Sequence, residues 1–396
     1  KRDNFKDAIQ PRLGFSYDLM GDQRHVIFGG AGRAYDRTLF DYLAREYYAG
    51  AFTTYTINFP TPFHPCSGTN CIPFNPALLT DAGLEAYRAA NPVAGGEIQL
   101  INNDFKTPYS DQFSLGMRNA VTLWGHDWNT AVTLQHIRAR DGFYARLGSR
   151  RPDGTFHQYQ AQGQTWGGSP FIAVPGYGNL ILMDNGFSFN QNSLLLSADK
   201  PYTQASPLGV SIAYTYMDAE ENRPNASTGE TYLFDYPYVR DEYYTSTGVA
   251  KHRLVLSGIY SPGWDLTFSG KLILETPKPR SSVNRLNSPA NGTCAPITGA
   301  ANCGDLNAYY APVTPDGTIG YKRVDLAVQK RWNPSEDLSV WVRGDLINVF
   351  NWENWSQFNT NWGPAGGPQN PTLGSRSGIE VYEPMRTFKL SMGFDW

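Results

Sequence analysis

Residues 388–396 read FKLSMGFDW. Phe388, Leu390, Met392, Phe394 and Trp396 are large and apolar, whereas Lys389, Ser391, Gly393 and Asp395 between them are small or charged. A period of two is that of a β-strand with one apolar and one polar face. A soluble protein has to bury such a row beneath another layer. A strand in a bilayer can leave it against lipid, and the final Trp396 then sits where aromatic rings favour the headgroup boundary.

Ten more segments alternate in the same way: 11–19, 24–35, 109–119, 128–138, 190–200, 208–218, 251–260, 264–274, 321–331 and 338–349, with 385–396 as the eleventh. Each is close to the ~9–11 residues that a tilted strand needs to cross the hydrocarbon core. Leu338, Val340, Val342 and Leu346 alternate with Ser339, Arg343 and Asp345; Val324, Leu326 and Val328 alternate with Arg323, Asp325 and Gln329. The polar faces collect Arg12, Arg118, Arg253, Lys271, Arg323, Arg343 and Lys389 against Asp18, Asp199, Asp325, Asp345 and Asp395. These are expected to line a water-filled lumen, as a hydrated wall, a wall that hydrogen-bonds a plug, or an anion-binding one. His136 and Gly29-Gly30-Ala31-Gly32 fit the alternation less cleanly.

The connections carry as much information as the strands. MGDQ, VTLWGHD, PYTQASP, SPG and WNPSED are short, and 36–108, 139–189, 219–250, 275–320 and 350–384 are long, in strict alternation. That places every long loop at one end. The expectation is an all-β, transmembrane antiparallel barrel with tight periplasmic turns and long extracellular loops. Bacterial single-chain barrels use an even strand number. Eleven strands, the first running downward, therefore predict that the sequence is part of a larger barrel.

Composition sets the outer limits. The 396 residues carry a formal net charge of −3, and 17% are charged. A nucleic-acid binder would be strongly basic. No run approaches the ~18 apolar residues of a membrane helix, which leaves a barrel possible because its strands alternate. Cys66/Cys71 and Cys294/Cys303 form two close pairs, each in a Pro/Gly/Asn-rich stretch, and are expected as local disulfides of an oxidising compartment. Neither pair has zinc-type spacing. Nucleophile-elbow, zincin and P-loop motifs are absent, and no enzyme activity or cofactor is expected. Gly30-x-Gly32 lies inside a strand, where backbone or plug is expected to approach the wall closely. Asp184-Asn185-Gly186 reads as a turn rather than a calcium loop. Thr80–Ala90, stopped by Asn91-Pro92, reads as a surface helix.

Three loop stretches are candidate binding surfaces. One holds Tyr232, Phe234, Tyr236, Tyr238, Tyr243 and Tyr244 among acidic residues; Tyr gives broad contact area at low entropy cost. The second is Trp352, Trp355, Phe358 and Trp362 among Asn and Gln. The first reads more readily as self-packing of a long loop, and the second is equally readable as loop core. The third, Arg138, Arg140, Arg146, Arg150 and Arg151, is placed to touch lipopolysaccharide phosphates.

Several of these stretches resemble one family. PRLGFSYDL, a tight turn and VIFGGAGRAYDR look like a strand pair of TonB-dependent outer-membrane receptors, and most closely the Oar-like subgroup with its carboxypeptidase-regulatory-like N-terminal domain. TPYSDQFSLGMRN, NSLLLSADKPY with SIAYTYMDAEENR, HRLVLSGIYSPG and VWVRGDLINVFNWENW are similar in order and spacing, and FKLSMGFDW resembles the terminal strand read by the outer-membrane assembly machinery. The resemblance implies a 22-stranded barrel, of which eleven strands would be the C-terminal half. It also implies an N-terminal plug, a segment that couples to TonB, and a ligand recognised by the outer loops. Neither plug nor TonB-binding segment lies within residues 1–396. Two other uses of the same barrel stay open: a surface interaction, adhesion or assembly protein, and a conduit for protein export.

Overall fold

The computed structural model describes residues 8–36, 40–48, 55–61, 65–66, 71–92, 98–147, 165–166, 169–170, 180–203, 205–222, 232–233, 243–285, 307–361, 369–377 and 385–396. Eleven antiparallel strands run through it, each hydrogen-bonded to the next in chain order: β1 (Arg12–Asp18), β2 (His25–Tyr35), β3 (Tyr109–Leu123), β4 (His126–Leu147), β5 (Leu180–Lys200), β6 (Leu208–Glu221), β7 (His252–Gly263), β8 (Leu266–Glu275), β9 (Tyr321–Trp332), β10 (Ser339–Ile347) and β11 (Thr387–Asp395). All eleven segments read from alternation are strands. β1 and β11 are the two ends of this path, and among the described residues they do not pair with each other.

Register turns the alternation of single strands into a property of the sheet. Phe15 stands opposite Gly29, Gly29 opposite Leu115, Leu115 opposite Leu134, Leu134 opposite Leu194 and Leu194 opposite Tyr216. At the other side Val328 is opposite Gly344 and Gly344 opposite Leu390. Every apolar row thus falls on one face. On β11 and at the Trp396 that follows it, its members are 61% (Phe394) to 87% (Trp396) exposed, with no second layer over them among the described residues. His136 belongs to this face too, and its polarity is met there by Asn192 at 2.8 Å beside the Phe113 ring. No described helix is long and apolar enough to cross a membrane.

The sheet is taller than the alternation implies. β4 has 22 residues and β5 has 21, so both ends of the connection expected at 139–189, residues 139–147 and 180–189, are strand. Asp141-Gly142 and Asp184-Asn185-Gly186 look like turns, yet both lie inside these strands, at register shifts between Ala139 and Phe143. A β-bulge absorbs the extra residue and the ladder continues. Backbone pairing needs no alternation once a strand has passed the hydrocarbon region, so the sequence signal fades while the strand goes on. At the far end, 264–274 begins later than expected. Trp264 and Asp265 are the turn itself, both in the left-handed region (φ 55° and 54°), between paired Gly263 and Leu266.

The long connection after β2 has structure of its own. It carries α1 (Phe40–Tyr48), α2 (Asp81–Ala90) and a strand Ile98–Ile101 that pairs in parallel with the upper end of β5. α2 starts one residue later than expected because Thr80 is its N-cap, accepting from the Gly83 amide, with Asp81 in the first turn. Asn185 ties this connection to the sheet. Its side chain accepts from the Lys106 amide (2.6 Å) and donates to the carbonyls of Lys106 (2.9 Å) and Asp141 (2.5 Å). The close approach expected at the glycine run is made within the sheet: the Phe15 ring covers Gly29, and a Cβ on Gly30 would stand 3.0 Å from the Leu13 carbonyl oxygen.

Candidate functional site

The face opposite the apolar rows holds the ionic side chains singled out from sequence, and it pairs several of them internally. Arg323 reaches Asp325 and Arg343 reaches Asp345, each at 2.8 Å and two residues apart on one strand. Register puts Lys271 opposite Asp325 and Lys389 opposite Asp345, so β9 and β10 repeat the same Arg-x-Asp pattern with a lysine across from each aspartate. Arg253 pairs with Glu275 at 2.8 Å, and Arg331 with Asp395 at 3.0 Å. Arg12 stands opposite Gly32, and Arg118 between Val26 and Ala131. Glu275 and Arg331 were not singled out from sequence, though strand parity places them on this same face.

At the loop end, the stretch after β10 is built around two buried asparagines. Asn348 accepts from the Trp352 amide and donates to the Trp352 carbonyl, both at 2.9 Å. Asn354 does the same for the backbone of Lys322 at the start of β9, at 2.9 and 3.0 Å. A primary amide presents a donor and an acceptor side by side, so each asparagine stands in for a strand partner. This fixes Trp352 against Phe350 (centroids 4.8 Å) with Lys322 over its ring; further along the same stretch Trp355 lies under Arg376 and Phe358 under Arg280. A cavity of about 290 Å³ is lined by Arg280, Lys322, Trp355, Phe358 and Arg376 among others. Trp362 lies outside the described residues.

The tyrosine group is not gathered in this way. Tyr232 pairs in parallel with Ala145 of β4, whereas Tyr244 pairs with Glu221 at the end of β6. Tyr243 is exposed beside it, and Phe234, Tyr236 and Tyr238 lie outside the described residues. Glu221 is buried and accepts from the Ser246 hydroxyl at 3.0 Å, which anchors this return segment. Among the arginines expected at the lipopolysaccharide level, Arg140 donates to the carbonyls of Ala139 and Phe189 and to Asn190. Its charge is thus held within the sheet. Arg138 lies on the apolar face opposite Asp111, and Arg150 and Arg151 are outside the described residues. Cys66 and Cys71 are disulfide-bonded; Cys294 and Cys303 are outside the described residues.

Residues 2–269 match a family described as outer membrane beta barrel domain. The chain belongs to that family. Its location is therefore the bacterial outer membrane. No curated protein matches it. Among solved structures, the barrel domain is similar to the outer membrane transporter YddB from Escherichia coli, with a TM-score of 0.56 and 13% identity over 98% of this chain and 40% of that one. The ferric preacinetobactin receptor BauA from Acinetobacter baumannii aligns with a TM-score of 0.45 and 12% identity over 98% of this chain and 36% of its own. At these identities the likeness to YddB concerns the fold alone, and nothing rests on BauA. The barrel domain spans well under half the length of either.

Proposed function

We propose that this barrel domain is the C-terminal wall of a TonB-energised receptor of the Oar-like subgroup, which imports a large or scarce ligand recognised by its outer loops. One feature of the fold supports this reading above the others. Eleven strands run as an unbroken neighbour-to-neighbour meander, all long connections leave from one end, and the described parts of those connections carry helices and short strands of their own. The fold likeness to an outer-membrane transporter agrees with it. In this reading the plug and the TonB-binding segment are supplied by sequence outside residues 1–396, the ionic face lines the lumen, and Phe388, Leu390, Met392 and Phe394 meet lipid. The two Arg-x-Asp pairs favour a hydrated wall, or one that meets a plug, over an anion conduit, because each arginine already has its carboxylate.

The test is direct. The full-length protein, purified in detergent, is expected to retain the periplasmic domain of TonB on a column, and to lose that binding when the segment upstream of the barrel is removed. Intact protein that ignores TonB would shift the reading to a surface interaction or adhesion protein.

A further inference from the structure

The cavity at the outer ends of β8, β9 and β10 has the size of a small ligand site. Three of its cations, Arg280, Lys322 and Arg376, lie over aromatic rings at 5.9, 5.3 and 5.0 Å from the centroids of Phe358, Trp352 and Trp355. None of the three has an ion-pair partner among the described residues. The cavity's carboxylates do not supply one: Glu275 is held by Arg253 and by Lys278 at 3.2 Å, and Asp316 and Glu353 make no ion pair with these cations. Two donors of the lining, Arg280 Nε and Trp355 Nε1, are also buried without an acceptor. Buried donors are nearly always satisfied, so two unsatisfied ones on residues that line one cavity call for an acceptor that a small side-chain rotation would bring within reach. A guanidinium held over a ring by its charge still has N–H groups to offer a planar oxyanion.

We propose that this cavity binds a small ligand through an oxyanion, a carboxylate or a phosphate. Arg280 and Arg376 supply the fork, Lys322 supplies further positive charge, and the Trp355 indole N–H donates after a small side-chain rotation that brings the buried donors onto the ligand. The inference rests on the receptor reading for the cavity's access to the cell exterior.

The experiment is calorimetric titration of the full-length protein in detergent micelles with glucuronate, inorganic phosphate and glucose. At least one anion is expected to bind and glucose is not; which anion binds more tightly separates a carboxylate site from a phosphate site. Arg280→Gln and Arg376→Gln are each expected to weaken binding by about tenfold. Trp355→Phe, which keeps the ring and loses only the donor, is expected to weaken it by several-fold. Unchanged heat-dependent gel mobility shows that the variants are folded. No binding of either anion at about 10 mM, or binding that the arginine variants leave untouched, overturns the site. Anion binding by a protein that ignores TonB would leave the site standing and remove the transport reading alone.

Discussion

The indole of Trp341 lies flat across Gly393, its direct partner on the terminal strand: a Cβ at Gly393 would stand 2.5 Å from Cζ2 and 2.7 Å from Cε2. Phe28 covers Gly116, and Phe15 covers Gly29, in the same directly opposed geometry. A ring over a glycine keeps water off the sheet backbone and pins register by shape. Gly393→Ala is expected to displace the indole and cost about 1–3 kcal/mol. Adding Trp341→Ala should restore part of the loss, since residues in contact couple by roughly 0.5–3 kcal/mol. Urea unfolding in lipid vesicles measures both. A silent Gly393→Ala would show that the ring yields.

The two faces of β11 give a second test. Leu390 and Ser391 are neighbours in sequence, and register puts Leu390 with Gly344 and Val328 on the apolar face and Ser391 with Arg343 on the ionic one. Leu390→Arg is expected to cost about 2–4 kcal/mol in a bilayer, the cost of a basic residue on a lipid face near the midplane. Ser391→Arg should cost far less if the ionic face lines the proposed water-filled lumen. Equal costs would mean that both faces meet the same medium.

Much of this architecture was legible in the sequence because lipid imposes a strict rule. A side chain that meets hydrocarbon has to be apolar, and its neighbours in the strand have to face the other way, so FKLSMGFDW and its ten counterparts stand out without any structure. The rule lapses above the bilayer. There the bulges at Asp141-Gly142 and Asp184-Gly186 resemble turns, and the upper halves of β4 and β5 do not stand out as strands. The candidate site was only partly visible for a related reason. The aromatic residues Trp352, Trp355 and Phe358 announce themselves. Their partners Arg280, Lys322 and Arg376 come from three separate segments that no spacing connects: the Asn354 amide ties in Lys322, and backbone bonds between 357–359 and 375–377 bring in Arg376.

Asn185 offers a test of how the first long connection is held. Its side chain makes three hydrogen bonds, two to Lys106 and one to Asp141 within the bulge. Asn185→Ala removes all three and leaves backbone groups of the 102–106 segment without partners, at roughly 0.5–1.5 kcal/mol each. The segment ahead of β3 is expected to become a preferred site of limited proteolysis, with global unfolding in urea nearly unchanged. If protease resistance stays at the wild-type level, the connection is held by other contacts, such as the pairing of Ile98–Ile101 with β5.

Trp124 and Trp264 test the placement of the short turns. Each is the first residue of a two-residue turn, at φ 50° and 55°, and they are 86% and 83% exposed. Turns of this kind favour Asn or Gly at that position, and an L-residue held in left-handed backbone costs roughly 1–2 kcal/mol. An indole held there against backbone preference is explained by the headgroup interface, where its apolar body and polar N–H are both accommodated. In vesicles containing brominated lipids, emission from these residues is expected to be quenched by bromine near the headgroups far more than by bromine deep in the chains. The quenched component should shrink in Trp124→Phe and Trp264→Phe. Trp264→Asn should relax the turn, so any stability it loses in vesicles measures the indole–lipid contact alone. Emission that answers only to a water-soluble quencher would place both turns outside the interface.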